Sequence, residues 1–275
     1  MMDGMTTLTS LAFAKGHGTG NDFVLVPDPD GRLDLDATTV AAVCDRRFGI
    51  GGDGLLRVVR TSAVAAVADH ADEAEWFMDY RNADGSLSEM CGNGVRVFAR
   101  YLVDSGLAEG PEVAILTRAG RVVAEVGERE IAVDMPLPVV TGESVAHLSG
   151  VDYKGTVVSV GNPHLVCWVD DPSALELAGS PELDPTVFPA GANIEFIART
   201  GDGQVRMRVI ERGVGETLSC GSGACAAGAV ALRDAGLSDG TVTVDVPGGR
   251  LAYSRTGERC VLAGPAVIVA TGTFS

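Results

Sequence analysis

Two stretches, EMCGNGVRVFARYLVDSGLA (residues 89–108) and LSCGSGACAAGAVALRDAGLS (residues 218–238), carry the same cysteine in the same Gly-rich setting. Each runs on into residues of helical spacing and ends in Ser-Gly-Leu or Ala-Gly-Leu, a glycine helix stop. The likeness reaches well beyond the cysteines. Gly120-Arg121 and Gly249-Arg250 each begin 29 residues after their cysteine, and Pro136 and Pro265 each lie 45 residues after it. Asn82 and Glu211 each precede it by 9. Offsets this regular mark a duplicated domain rather than a short motif met by chance.

Each copy has the same local plan. A β-forming run precedes the cysteine, at residues 75–81 and 204–210, followed by a Gly-containing turn, the Cys-Gly-x-Gly and a helix. Further strands are predicted at 113–117, 121–126 and 131–135, with counterparts at 242–246, 250–254 and 260–263. The second helix, GACAAGAVAL, is small and apolar on nearly every face, so it is buried on all sides. The predicted fold class is α+β. Two similar domains are related by pseudo-twofold duplication, each a curved, mostly antiparallel sheet around a central helix. The first half is placed at 1–135, joined by a closing strand at 266–275, and the second at 136–265.

A chain of 275 residues with 46% hydrophobic residues can fill two such cores. Thirty-seven acidic against 21 basic residues give a net charge of −16, which disfavours nucleic acid and anionic membrane as partners and points to small-molecule work. No apolar run is long enough to span a bilayer, and the opening residues lack a signal-peptide pattern, so the first few are read as a loose start and a cytoplasmic location is expected. Six cysteines, Cys44, Cys91, Cys167, Cys220, Cys225 and Cys260, form no C-x-x-C pair and are accompanied by four histidines, which argues against structural zinc. In a reducing cytosol a disulfide framework is not expected either. Cys44, Cys167, Cys225 and Cys260 are read as small core residues.

The repeated pair, Cys91 and Cys220, calls for a different reading. At a helix start the macrodipole and unsatisfied N–H groups favour the thiolate, so their pKa is expected to fall. The glycines at 92, 94, 221 and 223 let a ligand approach the backbone, whose N–H groups suit a carboxylate. Brought together about a pseudo-twofold axis, the two sulfurs would face one carbon from opposite sides. One thiolate would then remove a proton while the other thiol returns one, inverting the centre with no metal or organic cofactor. Gly-Asn pairs ahead of apolar strands place Asn21 and Asn162 where amides could hold ammonium or carboxylate groups, though each is as readily a turn residue. His164 could adjust a thiol or be a structural histidine. Glu211-Arg212 could pair a substrate's two charges or be a surface pair.

HGTGNDF, RFGIGGDG, NADGSLSEMCGNGVR, GNPH, ANIEF, ERGVGETLSCGSGACAA and PGGRL, in this order from His17 to the last strand, resemble diaminopimelate epimerases. The resemblance implies a pyridoxal-independent epimerase that interconverts LL- and meso-2,6-diaminopimelate in lysine and peptidoglycan precursor synthesis. It implies Cys91 and Cys220 as the acid–base pair, with Cys91 donating and Cys220 accepting in one direction and the roles exchanged in the other. Asn21, Asn82, Asn162, Asn193, Glu211 and Arg212 match substrate-holding positions. Gly92-Asn93 and Gly221-Ser222 match the backbone cradle, and His164 and Glu211 match positions that tune the thiols. Two positions depart from the family pattern: Gly54 stands where many members have a substrate-contacting Gln, and Ala270 where many have a tyrosine that packs a homodimer.

Three other readings remain open on the residues alone. A proline or hydroxyproline racemase would also use paired cysteines. A binding protein would use the helix starts as anion sites, and a redox protein would use Cys91 and Cys220 as its dithiol.

Overall fold

In the computed structural model, which describes residues 11–274, both repeated cysteines cap a helix, and each helix is set in the same order of strands. The opening residues read as a loose start lie outside the described residues. In chain order the elements begin with β1 (Leu11–Gly18), β2 (Asn21–Pro27), α1 (Ala37–Cys44), β3 (Gly54–Arg60), β4 (Trp76–Asn82), α2 (Gly92–Asp104), β5 (Glu112–Thr117) and β6 (Gly120–Val126). They continue with β7 (Glu130–Met135), β8 (Val139–Leu148), β9 (Val151–Ser159), β10 (Pro163–Trp168), β11 (Glu182–Leu183), β12 (Asn193–Gly201), β13 (Gln204–Glu211) and β14 (Gly215–Thr217). The last are α3 (Gly221–Asp234), β15 (Gly240–Val246), β16 (Gly249–Thr256), β17 (Arg259–Pro265) and β18 (Val267–Phe274).

The chain divides into two compact units. The first holds the described residues up to His17, Asp22–Ala124 and the chain from Ala266 onward; the second holds Gly18–Asn21 and Glu125–Pro265. In the first, β1 pairs with β2, β2 runs parallel to β3, β3 antiparallel to β4, and β4 parallel to β5. In the second, β9 pairs with β10, β10 runs parallel to β12, β12 antiparallel to β13, and β13 parallel to β15. The order and directions of these joins repeat, which is the duplication in structural form. Each unit has two parallel joins within an otherwise antiparallel sheet, as expected. The β4–β5 and β13–β15 joins cross over through α2 and α3, while the β2–β3 join crosses through α1 and the β10–β12 join through residues 169–192.

The second unit's sheet extends through β16 and β17 to β7 and, on the other side, through β8 to β11. Pairing of β7 with β17, from Cys260↔Met135 to Pro265↔Glu130, ties residues 130–135 to the second unit. The division therefore falls at Ala124/Glu125, earlier than the expected 135/136. The closing strand β18 lies antiparallel to β1 in the first unit. Ala270 sits on it opposite Lys15, on an exposed stretch.

The two helices differ as their sequences foretell. Strands β9, β10, β12, β13, β15, β16 and β17 all pack on α3, so nearly every residue from Gly221 to Leu232 is buried and a polar face would have no water to meet. In α2, Val95, Phe98, Ala99 and Leu102 are buried against β3, β4, β5 and β18, while Arg100 and Asp104 close an i,i+4 pair on the outer side. Cys44, Cys167, Cys225 and Cys260 are buried in the cores.

Candidate functional site

In the first unit, Cys91 takes extended backbone angles (φ −139°, ψ 117°) as the N-cap of α2, and its sulfur accepts the Gly94 N–H at 3.5 Å. The turn leading to it is held at several points. Asn82 donates its backbone N–H to Ser86 O at 2.9 Å and its Nδ2 to Ser86 Oγ at 3.0 Å. Arg118 grips Tyr80 O and Ser88 O and is itself paired with the buried Asp79. The Asn93 side chain turns inward, where its Oδ1 accepts from Arg96 Nη2 at 2.7 Å, and both residues are buried. The Asn93 side chain is thus committed to Arg96 inside the unit. Gly54 pairs with Asn82 across β3 and β4. A Cβ there would lie 2.6 Å from Arg81 O and 2.7 Å from a Tyr80 ring carbon, so this packing has no room for a longer side chain.

The second unit brings more of the expected residues together. Cys220, buried, caps α3 with nearly the same angles (φ −120°, ψ 120°) and accepts the Gly223 N–H at 3.4 Å. Ser222 Oγ lies 3.6 Å and Asn193 Nδ2 3.9 Å from its sulfur. The Glu211 carboxylate at the end of β13 acts on the thiol through its charge, and its Oε1 accepts from the Thr217 hydroxyl. Asn193 Oδ1 accepts the Arg212 N–H at 2.9 Å, leaving Nδ2 toward the thiol, while the Arg212 side chain is exposed. Beneath them, His164 Nδ1 and Glu195 Oε1 are 2.7 Å apart with neither residue exposed, and His164 Nε2 meets Asn162 Oδ1 at 3.0 Å. Parallel pairing sets His164 opposite Asn193, and the two-residue period of a strand puts Glu195 on the same face as Asn193.

Asn21 begins β2, at the end of a turn that belongs to this second unit. Thr19, held at φ +50°, donates its hydroxyl to Ser219 Oγ at 2.6 Å, next to Cys220. The turn lies so close to Gly248 that a Cβ there would stand 1.7 Å from Thr19 O.

One expectation is corrected. The helix start was read as lowering the thiol pKa, yet Cys220 is pushed well above the ordinary range. Burial is the largest cause, followed by the nearby Glu211 and Glu195 carboxylates; Ser222 and the Gly223 N–H pull the other way and are outweighed. Burial likewise raises Glu211. In the core, burial raises Cys44 to about 11 and Cys167 to about 12, which keeps them inert. Among the described residues no group of three or more His, Cys, Asp or Glu is arranged to hold a metal.

Glu195 was missed as a site residue, although it lies within the quoted ANIEF. The signal was present: a carboxylate inside the apolar run 194–198 is an unsolvated charge that needs a partner.

Two duplicated α+β units define a fold class with solved members. A PhzF-family phenazine biosynthesis protein of Bacillus anthracis superposes with a TM-score of 0.71 over 97% of this chain and 99% of its own, at 16% identity. A hydroxyproline epimerase of Agrobacterium vitis does so with a TM-score of 0.65 over 97% and 91%, at 14% identity. At those identities the likeness is one of fold. The particular family is given by sequence: the family model described as diaminopimelate epimerase matches residues 13–141 and 156–269. Diaminopimelate epimerases of Rhodococcus opacus (50% identity, 95% of this chain and 96% of that protein) and Thermobifida fusca (52%, 95% and 97%) align over nearly the whole length. This chain belongs to the diaminopimelate epimerase family.

Proposed function

We propose that the protein interconverts LL- and meso-2,6-diaminopimelate by proton exchange at one α-carbon, using Cys91 and Cys220 and taking no cofactor. The observation that carries this is the Cys220 thiol, which caps α3 beside a carboxyl, Glu211, whose own proton affinity is raised by burial. Family membership and the matching cap at Cys91 support it. A buried thiol beside two carboxylates rests protonated, so in the direction begun by Cys91 it delivers the new α-proton. In the reverse direction its proton passes to Glu211 and the resulting thiolate takes the α-proton, while Cys91 supplies the other.

Substrate recognition follows from the polar inventory. The helix-start N–H groups at Gly92-Asn93 and Gly221-Ser222 suit the carboxylate at the reacting centre. Asn21, Asn82, Asn162, Asn193, Glu211 and Arg212 supply donors, acceptors and charge for the ammonium and carboxylate groups. A shorter amino acid would leave those groups unpaired, which costs more than a lost apolar contact. We place the reaction in lysine and peptidoglycan precursor synthesis and the protein in the cytoplasm; among the described residues no helix is long and apolar enough to cross a membrane.

The test is α-proton exchange followed by NMR in D₂O with reduced protein and LL- or meso-diaminopimelate, proline and glutamate. Loss of the α-signal from diaminopimelate with inversion is expected, and Cys91→Ala or Cys220→Ala should lower it by at least about 10³-fold. Exchange on proline alone would move the substrate to that of a racemase. Binding without exchange on any substrate would overturn the enzymatic reading.

A further inference from the structure

The carboxylate of Glu195 lies beneath the first turn of α3. Its Oε1 stands 2.6 Å and its Cγ 3.2 Å from where a Cβ on Gly223 would be, and Gly223 is the residue whose N–H reaches the Cys220 sulfur. Oε1 also receives His164 Nδ1, whereas Oε2 is buried with no hydrogen-bond partner among the described residues. A negative charge at the positive end of a helix takes up the field that would otherwise favour a capping thiolate.

From this geometry we infer that Glu195 is the positioning residue of the Cys220 half-site, fixing the His164 ring through one oxygen and keeping Cys220 a thiol through its charge at the helix start. The inference rests on the reading of Cys220 as a proton-transfer group. The charged or titratable groups facing Cys220 are Glu211 from β13, Glu195 from β12 and, through Glu211, His164 from β10. Of the two carboxylates, Glu211 lies beside the thiol at the end of β13, whereas Glu195 lies under the helix start itself and is held by His164. The absent Cβ at Gly223 is what admits it.

The experiment compares wild type, Glu195→Gln and Glu195→Asp in reduced, full-length protein labelled with methyl methanethiosulfonate near neutral pH. Labelling at Cys220, Cys91 and Cys225 is read separately by peptide mass. Only thiolate reacts, so the Cys220-to-Cys91 rate ratio should rise about tenfold in the Gln variant, as for one pKa unit, with the Asp variant in between. In the same samples kcat for diaminopimelate should fall while KM holds. An unchanged ratio in the Gln variant overturns the inference, as does a common rise at Cys220, Cys91 and buried Cys225, which would mark general loosening. Where the Gln variant does not fold, the Asp variant decides by the same ratio. Because labelling needs no substrate, a moved ratio with no turnover even in wild type would sink the proposed function and leave this inference standing.

Discussion

The two helix starts share one backbone design and have opposite surroundings. Both cysteines adopt extended angles and accept the N–H three residues on. Cys91 is half-buried, and in its helix the buried cation Arg96 folds back to Asn93 Oδ1 and Gly92 O. Cys220 is buried, and carboxylates stand beside it at Glu211 and beneath its helix at Glu195. Duplication thus conserved the local cap and changed the charge next to it. Unlike charges therefore stand next to matched caps.

The largest test of this contrast replaces the second glycine of each motif. Gly223→Ala drives a methyl group into the Glu195 carboxylate, and should cost about 1–3 kcal/mol in stability and lower kcat by an order of magnitude or more. At Gly94 the nearest atoms, on Cys91, Leu56 and Phe23, are 3.5 Å from the added Cβ, an ordinary contact. Gly94→Ala should therefore be neutral or stabilise by up to about 1 kcal/mol. Denaturant unfolding with kcat on the same samples reads both, and equal penalties would end the asymmetry.

A second test uses the residues 9 before each cysteine, Glu211 and Asn82. Burial raises Glu211 above its ordinary 4.5. The folded state then binds that proton more tightly than the unfolded chain, so its contribution to stability is full below the ordinary value and is lost as pH rises through the folded value. Tm of the wild type should fall relative to Glu211→Gln as pH is raised from 4.5 toward neutrality. Asn82→Ala should leave the shape of the Tm–pH curve unchanged. In turnover, Glu211→Gln should cost about 10²-fold in kcat.

The last contrast, read in stability alone, separates the residues two after each cysteine. Asn93→Ala removes a buried acceptor from the Arg96 guanidinium and should cost about 1.5–3 kcal/mol in a urea titration. Ser222→Ala loses only a long contact to the Cys220 sulfur and should stay within about 0.5 kcal/mol.

Much of this was legible in the residues. The regular offsets announced the duplication, and the all-apolar GACAAGAVAL announced a helix walled in by strands. Capping is local, since a Cys-Gly-x-Gly brings the N–H of its fourth residue back to the sulfur whatever surrounds it. The domain limit was misplaced because β7 reads as a continuation of β6, and only its pairing with β17 shows where it belongs. The buried carboxylate of Glu195 sits in plain view in ANIEF, yet nothing in the order of residues says which thiol it serves.

By itself, then, the sequence determined two capped cysteines in a repeated frame, and with them the family, because helix caps and periodicity depend on neighbours along the chain. The proton affinity of Cys220 was decided by tertiary structure. Parallel pairing of β10 with β12 and antiparallel pairing of β12 with β13 bring His164, Glu195 and Glu211 to one helix start. Burial there turns a position that would favour a thiolate in water into one that holds a thiol.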